Sequence, residues 1–397
     1  MIAWIRTLLG GFTDELRRIA RNRAILMVLL GIPVVYPIVV SWLYVRNAAV
    51  ERPTVLVDQD GSALSQKLAQ SLDATQEIAI EGRIDDLQRG FEMVRQRQAE
   101  MLIFIPSDFS TRVRTGRQGQ VKVWVNGANI LTYGAAVGAT RTTVAALNEE
   151  LGRDFFHKQG LTTQLSDRRI MPIRTDTRML FYPTGAYGEF LVLGVFLIAF
   201  QQLILISLPF SVGLRRETDL VPTPVRFPFA TLAGRVAAHT LFYILASLFI
   251  VLVVTPSFGW GIKSAASVLV LFAAFGLAML PLSMIAASLV RDRFTGFQVL
   301  MFVSTPVFMV SGFTWPLEQM PRAVQVFASV FPATPALLAM RVLAVKTSEL
   351  SAVSGELAWL GVHFVAYTAL AVVVTHLVAW RDRRRALGRP MVTIPVV

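Results

Sequence analysis

Along the chain, uncharged apolar stretches of span length alternate with short charged breaks. Between Arg23 and Arg46, residues 24–45 carry no charge; at 1.5 Å per residue such a helix reaches about 33 Å, enough to cross a bilayer core. Pro33 and Pro37 inside it predict a kink. No small-residue cleavage site follows, and the apolar run exceeds that of a signal peptide, so a retained first span is expected. Further uncharged runs at 190–214, 236–262, 264–290, 294–317 and 357–380 each hold one span, six in all. A shorter apolar piece within 319–345 is flanked by Arg322 and Arg341 and broken by Pro332 and Pro335. It predicts two re-entrant half-helices before the last span, shielded by surrounding protein.

Between the first two spans the texture changes. Residues 47–183 alternate β-rich and helical pieces, which predicts an inserted α/β domain with a mostly parallel or mixed sheet. TVLVD at 54–58 and MLIFI at 101–105 read as buried strands, and Asp60, Gly61 and Ser62 read as a turn and helix cap. Asp58, Asp60 and Ser62 could also be imagined as metal or phosphate ligands; the turn-and-cap reading is the simpler one. In residues 1–23, Ile5, Leu8, Leu9, Phe12, Leu16 and Ile19 recur at helical spacing opposite Asp14, Glu15, Arg17, Arg18 and Arg21. That pattern suits a helix lying in the membrane interface.

Composition agrees. Of 397 residues, 54% are hydrophobic and only 16% charged, and there is no cysteine. Disulfides, thiolate metal sites and cysteine nucleophiles are thereby excluded. The formal net charge of +12 comes without any nucleic-acid motif, so nucleic acid is not an expected partner. Basic residues collect instead near span ends: sixteen fall on the face that holds both termini, against four on the short opposite connections. The positive-inside bias puts both termini, including the basic tail 381–397, in the cytoplasm and exports residues 47–183. The cytoplasmic loop 213–234 crowds Arg215, Arg216, Glu217, Asp219 and Pro222-Thr223-Pro224 into a short elbow, which suggests docking of another protein.

The chain carries no phosphate loop of the form G-x-x-x-x-G-K-[ST], because none of its lysines follows a glycine. It is therefore not read as an enzyme. His239, His363 and His376 stand in apolar span sequence without a paired acid, so neighbouring helices are expected to satisfy them. An ion-coupled secondary transporter would want acidic residues near mid-membrane, and the sequence offers none there.

GLRRETDLVPTPVRFPFATLAGR at 213–235 resembles the charged elbow and Thr-Pro element after the second span of type-2 ABC transporter permeases, with Asp219 where a glycine is usual. PVFMVSGFTWPLEQMPRAVQVFASVFPATPALLAMR at 306–341 resembles that family's Ser-Gly-Phe-x-x-Pro-x-x-x-Met-Pro segment and its downstream Pro and Arg. VLVDQDGSALSQKL, LIFIPSDFSTRVRTG and VKVWVNGAN resemble pieces of the external domain of its exporter branch. The resemblance implies a permease subunit in a bacterial inner membrane that pairs with a second copy or a paralogue. It also implies separate ABC ATPase subunits that hold ATP and Mg, this chain binding no cofactor. Hydrophobic or amphipathic cargo, drug-like or lipid-like, follows from the same resemblance. It assigns ATPase coupling to Arg215, Arg216, Glu217 and Asp219, and to Asp14, Glu15 and Arg18. Gln201, Gln202, Ser304, Thr305 and Ser311 become lining residues of a substrate path, with helix–helix hydrogen bonding as the other reading of each. A periplasmic adaptor and outer-membrane channel are further partners it allows, as is a subunit that transmits force to them rather than moving cargo.

Overall fold

A computed structural model describes residues 2–45, 51–126, 130–160, 162, 187–218, 227–346 and 348–387. The chain divides into two compact units, residues 1–46 with 180–397, and residues 47–179.

The second unit is built on a four-stranded sheet. Strands β1 (Arg52–Asp58), β2 (Ile78–Ile84), β3 (Met101–Ile105) and β4 (Lys122–Val125) lie in the order β2-β1-β3-β4. The first three are parallel and β4 pairs antiparallel with β3, so the sheet is mixed. Helices α3 (Ala63–Asp73), α4 (Leu87–Arg95) and α5 (Phe109–Arg114) connect the strands, and α6 (Ile130–Lys158) follows them. Val55, Leu56, Val57, Leu102 and Ile103 are almost wholly buried, which explains why these strands read as continuous apolar runs rather than alternating ones. At the end of β1, the Asp58 carboxylate accepts the backbone N–H groups of Asp60 and Gly61 and the Ser65 hydroxyl at 2.7 Å. Ser62 caps α3 by accepting from Ser65 N. These residues make the turn and helix cap, and among the described residues no cluster of metal-ligating side chains occurs.

In the first unit, α1 (Ile2–Arg21) stops at Asn22, whose side chain accepts from the N–H groups of Ala24 and Ile25 and so starts α2 (Arg23–Tyr44). The kink expected in this span takes the form of a π-helical turn at Met27–Gly31, just ahead of Pro33. A proline ring clashes with the carbonyl four residues back, and a widened turn accommodates that clash.

The remaining helices are α7 (Tyr187–Thr218), α8 (Pro228–Ser257, with a π turn at Ile250–Val254), α9 (Ala265–Leu289), α10 (Arg293–Val310), α11 (Arg322–Ser329), α12 (Ala333–Arg341) and α13 (Ser354–Leu387). Among the described residues, five helices are long and apolar enough to cross a membrane, or six if the pair at 322–344, bent by 95°, is counted as one span. Helix α7 is the hub. Phe196, Leu197, Leu203 and Ile204 on it are sealed in the core against Phe272, Phe275 and Phe313.

Several boundaries differ from the hydropathy reading. The span expected at 190–214 continues as helix to Thr218, so Arg215, Arg216 and Glu217 form a last helical turn rather than the beginning of a loop. Helix α8 starts at Pro228, eight residues before the expected 236, because Phe227 is followed by a proline at a helix start and Arg235 is tolerated inside the bundle. The run expected as a span at 294–317 stops as helix at Val310. Gly312 there adopts φ +83°, a left-handed conformation that ends a helix although the sequence stays uncharged.

Candidate functional site

The site is assembled where α1 crosses α7 and α8. At Gly11 and Gly234 the two helices approach so closely that an added Cβ would stand 2.5 Å from Thr231 O and 2.0 Å from Leu8 O respectively. Glycine is required at both by the neighbouring backbone. This contact turns Glu15 inward: it is 1% exposed, against 0% for His239 on α8. The sequence reading placed Glu15 on the polar face of α1 and His239 without a paired acid. Both are corrected here, because the helix crossing makes the inward face the one carrying Gly11, Glu15 and Ile19. Ile5, Leu9 and Leu16 remain exposed on α1.

Glu15 Oε1 lies 3.0 Å from His239 Nε2 and also accepts the Ser211 hydroxyl of α7. His239 Nδ1 lies 3.2 Å from Ser207 Oγ, which is 2.6 Å from the Tyr243 hydroxyl. A carboxylate can only accept, so His239 Nε2 carries the proton. Nδ1 then accepts from Ser207, and Ser207 accepts from Tyr243. Every O–H and N–H donor in the chain Tyr243–Ser207–His239–Glu15–Ser211 finds an acceptor in that one direction. Burial pushes the Glu15 carboxyl up, but the hydrogen bond from His239, the Ser211 hydroxyl and the charge of Arg235 together hold it below its ordinary range.

The charged end of α7 is engaged inside the unit. Arg18 donates to Thr218 Oγ1 at 3.1 Å, tying α1 to the last residue of α7. Arg216 donates to the carbonyls of Val290 and Ser288, the latter at 3.0 Å, and so closes the end of α9. Glu217 Oε1 accepts the backbone N–H of Arg293 at 2.9 Å, and its Oε2 pairs with Arg293 Nε at 3.3 Å. A carboxylate thus sits at the positive N-terminal end of α10. Arg215 and Arg235 lie in one another's field together with Arg18, Asp14 and Glu15. Asp14 is exposed. Asp219, the Thr223-Pro224 element and the rest of the elbow at 219–226 lie outside the described residues, as does the tail beyond residue 387.

Of the path residues, Gln201 and Ser304 meet: the Gln201 amide donates to Ser304 Oγ at 3.0 Å in the interior, linking α7 to α10. Gln202 Oε1 is buried without a hydrogen-bond partner among the described residues. Thr305 is exposed. Ser311 is buried and donates to Phe308 O at 2.6 Å, closing the turn that ends α10. Beside it, Arg341 donates to the carbonyls of Gly312 and Phe313 and stacks over the Phe313 ring at 5.2 Å. His363 Nε2 donates to Ser329 O at 2.9 Å, and His376 Nδ1 donates to Val372 O of its own helix. A backbone carbonyl thus takes one nitrogen of each ring, while His363 Nδ1 is buried without a hydrogen-bond partner among the described residues.

Sequence reasoning missed Ser207, Ser211, Tyr243, Arg235 and Arg293. A usable signal was present: Ser207 and Ser211 are four apart, as are Arg235, His239 and Tyr243, so each set shares one helix face.

No curated protein sequence matches the chain. A sequence model described as ABC-2 family transporter protein matches residues 23–373, a match that contains the α7 hub and every partner of the buried chain except Glu15. The protein is a multi-pass helical membrane protein that belongs to the ABC-2 family of transporters, whose permeases serve as the membrane component alongside an ABC ATPase subunit.

Proposed function

We propose that this chain is the permease subunit of an ABC exporter, working as a dimer above two ATPase subunits and moving hydrophobic or amphipathic cargo outward. Both termini face the cytoplasm in this reading, residues 47–183 face outward, and the bent pair at 322–344 enters the membrane from the outer side. The observation that carries it is the convergence at one end of α7: α1 and the α9–α10 turn bond Arg216, Glu217 and Thr218, while Arg235 of α8 lies in the field of Arg215. A push delivered at that end reaches four helices at once. Asp14 and the elbow around Asp219 then supply the surface that meets the ATPase, while Glu15, Arg18, Arg216 and Glu217 hold the helices that receive the push. Helices α7 and α10, joined by Gln201 and Ser304, flank the path, and the unused carbonyl of Gln202 is the polar group offered to cargo. The exposed face of α10 with Phe302, Thr305 and Met309 is where the second copy packs.

The test is affinity purification of the tagged protein in mild detergent, with mass spectrometry of what accompanies it and an ATPase assay. Stoichiometric recovery of a Walker-motif ATPase whose turnover depends on this chain is expected. Recovery of a homo-oligomer alone would overturn the reading and redirect attention to ion coupling. Protease added outside spheroplasts should cut within 47–183; protection there together with cleavage of the termini would invert the orientation.

A further inference from the structure

Burial of the Glu15–His239 pair is not needed to keep α1 at a membrane surface. An interfacial helix holds its place through apolar area and basic charge alone, and α1 has both in Ile5, Leu9 and Leu16 and in Arg17 and Arg21. A carboxylate inserted between α7 and α8 adds something different. An anion in a dry interior is tolerated only while its donors stay in place, so α1 cannot slide along α8 or away from α7 without stripping Glu15 of His239 and Ser211. The close backbone crossing at Gly11 and Gly234 removes the remaining slack. Interfaces of this kind have discrete positions rather than a continuous range.

We propose that His239 is a positioning residue for energy coupling: by donating to Glu15 it bolts α1 to α7 and α8, so that these three helices move as one body. The inference rests on the permease reading for the source of the push, but the bolt itself is a property of this chain. The path from α1 is continuous. Glu15 reaches Ser211 and, through His239, Ser207, both on α7; from α7 the connection passes to α10 through Gln201–Ser304 and to α9 through Ser283, which donates to Ile204 O at 2.7 Å. Movement of α1 is thereby delivered to the helices that flank the path. The one-directional hydrogen-bond chain makes the side-chain requirement specific: position 239 must donate to Glu15 and accept from Ser207.

The absence of native cysteine allows a clean test with paired spin labels. Leu9→Cys on α1 and Leu245→Cys on α8, 55% and 59% exposed, report the bolted pair; Leu245→Cys with Leu277→Cys on α9, the latter 52% exposed, reports the rest of the bundle. In the full-length protein the α1–α8 distance distribution should be narrow, and in the complex with its ATPase subunit it should not change on adding ATP. His239→Phe, which keeps the bulk and loses the donor, should broaden the α1–α8 distribution while leaving the α8–α9 distribution unchanged. His239→Gln places an amide N–H near the position of Nε2 and should restore the narrow distribution. In the complex, His239→Phe should lower the stimulation of ATP turnover by this chain roughly 2- to 30-fold, the usual range for residues along a coupling route. An α1–α8 distance unaffected by His239→Phe overturns the bolt, and so does one that shifts with ATP in the unmodified sequence. Equal broadening of both label pairs reduces His239 to a general stability role. If no ATPase subunit accompanies the protein, the permease reading and the coupling role fall together, whereas the label distances in the isolated chain still decide whether the bolt exists.

Discussion

Gly10 and Gly11 are neighbours on α1, yet replacing each by alanine should act in opposite directions. A Cβ at Gly10 meets nothing within 4 Å, whereas one at Gly11 stands 2.5 Å from the backbone oxygen of Thr231. At Gly10 only the helix propensity changes, a gain of about 0.8–1 kcal/mol. At Gly11 the same gain is opposed by overpacking, about 1–3 kcal/mol, and the obstructing atom belongs to backbone and cannot turn aside. A net loss of up to about 2 kcal/mol is expected. Gly234→Ala is harsher, since its Cβ would lie 2.0 Å from Leu8 O and 2.9 Å from Phe12 N. Relieving that contact needs a shift of about 1 Å, enough to pull Glu15 off His239, and leaving a buried carboxylate without its donor costs about 3 kcal/mol or more. Hydrogen exchange of α1 amides, read by mass spectrometry on the purified protein, measures the local opening directly, and about 1.4 kcal/mol corresponds to a tenfold change. Protection should rise slightly in Gly10→Ala, fall about tenfold in Gly11→Ala and fall by two or more orders of magnitude in Gly234→Ala. If Gly11→Ala protects α1 as well as Gly10→Ala does, the close crossing of α1 and α8 is wrong, and the buried position of Glu15 goes with it.

Ser304→Ala should strand the Gln201 amide in the interior and lower stability in detergent by about 1–3 kcal/mol, followed by circular dichroism on heating; an unchanged melting temperature would mean that Gln201 has another partner. Glu217→Ala removes the acceptor at the start of α10 and should cost about 1 kcal/mol, seen as faster exchange confined to the first turn of that helix. The Glu15 carboxyl lies below its ordinary value because the donors around it outweigh burial. Its contribution to holding α1 is therefore complete above the unfolded value, about 4.3, and is lost as the pH falls through the lower folded value. Acid should release α1 in the unmodified protein, and Glu15→Gln should abolish that acid dependence. In the unit 47–179, burial raises the Asp60 carboxyl, but bonds from Ser62 and Ser110 and the charge of Arg114 together pull it below its ordinary range. Acid unfolding of that unit should thus move toward neutral pH in Asp60→Asn if the hydrogen bonds from Ser110 need the charge.

Hydropathy alone determined that this is a multi-pass helical protein, because a run of twenty or so uncharged residues has few other stable environments. The turn-and-cap reading of Asp60, Gly61 and Ser62 was equally legible, since Asp58 and Ser62 act on backbone groups within a few residues of themselves. Helix ends were less so. Arg215, Arg216 and Glu217 looked like loop because charge ends an apolar run, but the side chains of Arg216 and Glu217 find partners on α9 and α10 that only the folded bundle supplies. Phe294 to Leu317 looked like one span because nothing charged interrupts it until Glu318, and the backbone at Gly312 ended the helix first. The pairing of Glu15 with His239 spans 224 positions, and no local pattern connects them. Glu15 was assigned to the polar face of an interfacial helix because the apolar stripe of α1 suggested one inward side. Which side faces the protein was decided by Gly11 and Gly234: the two places without a Cβ let the backbones touch, and that contact turned the carboxylate toward the only buried histidine able to receive it among the described residues.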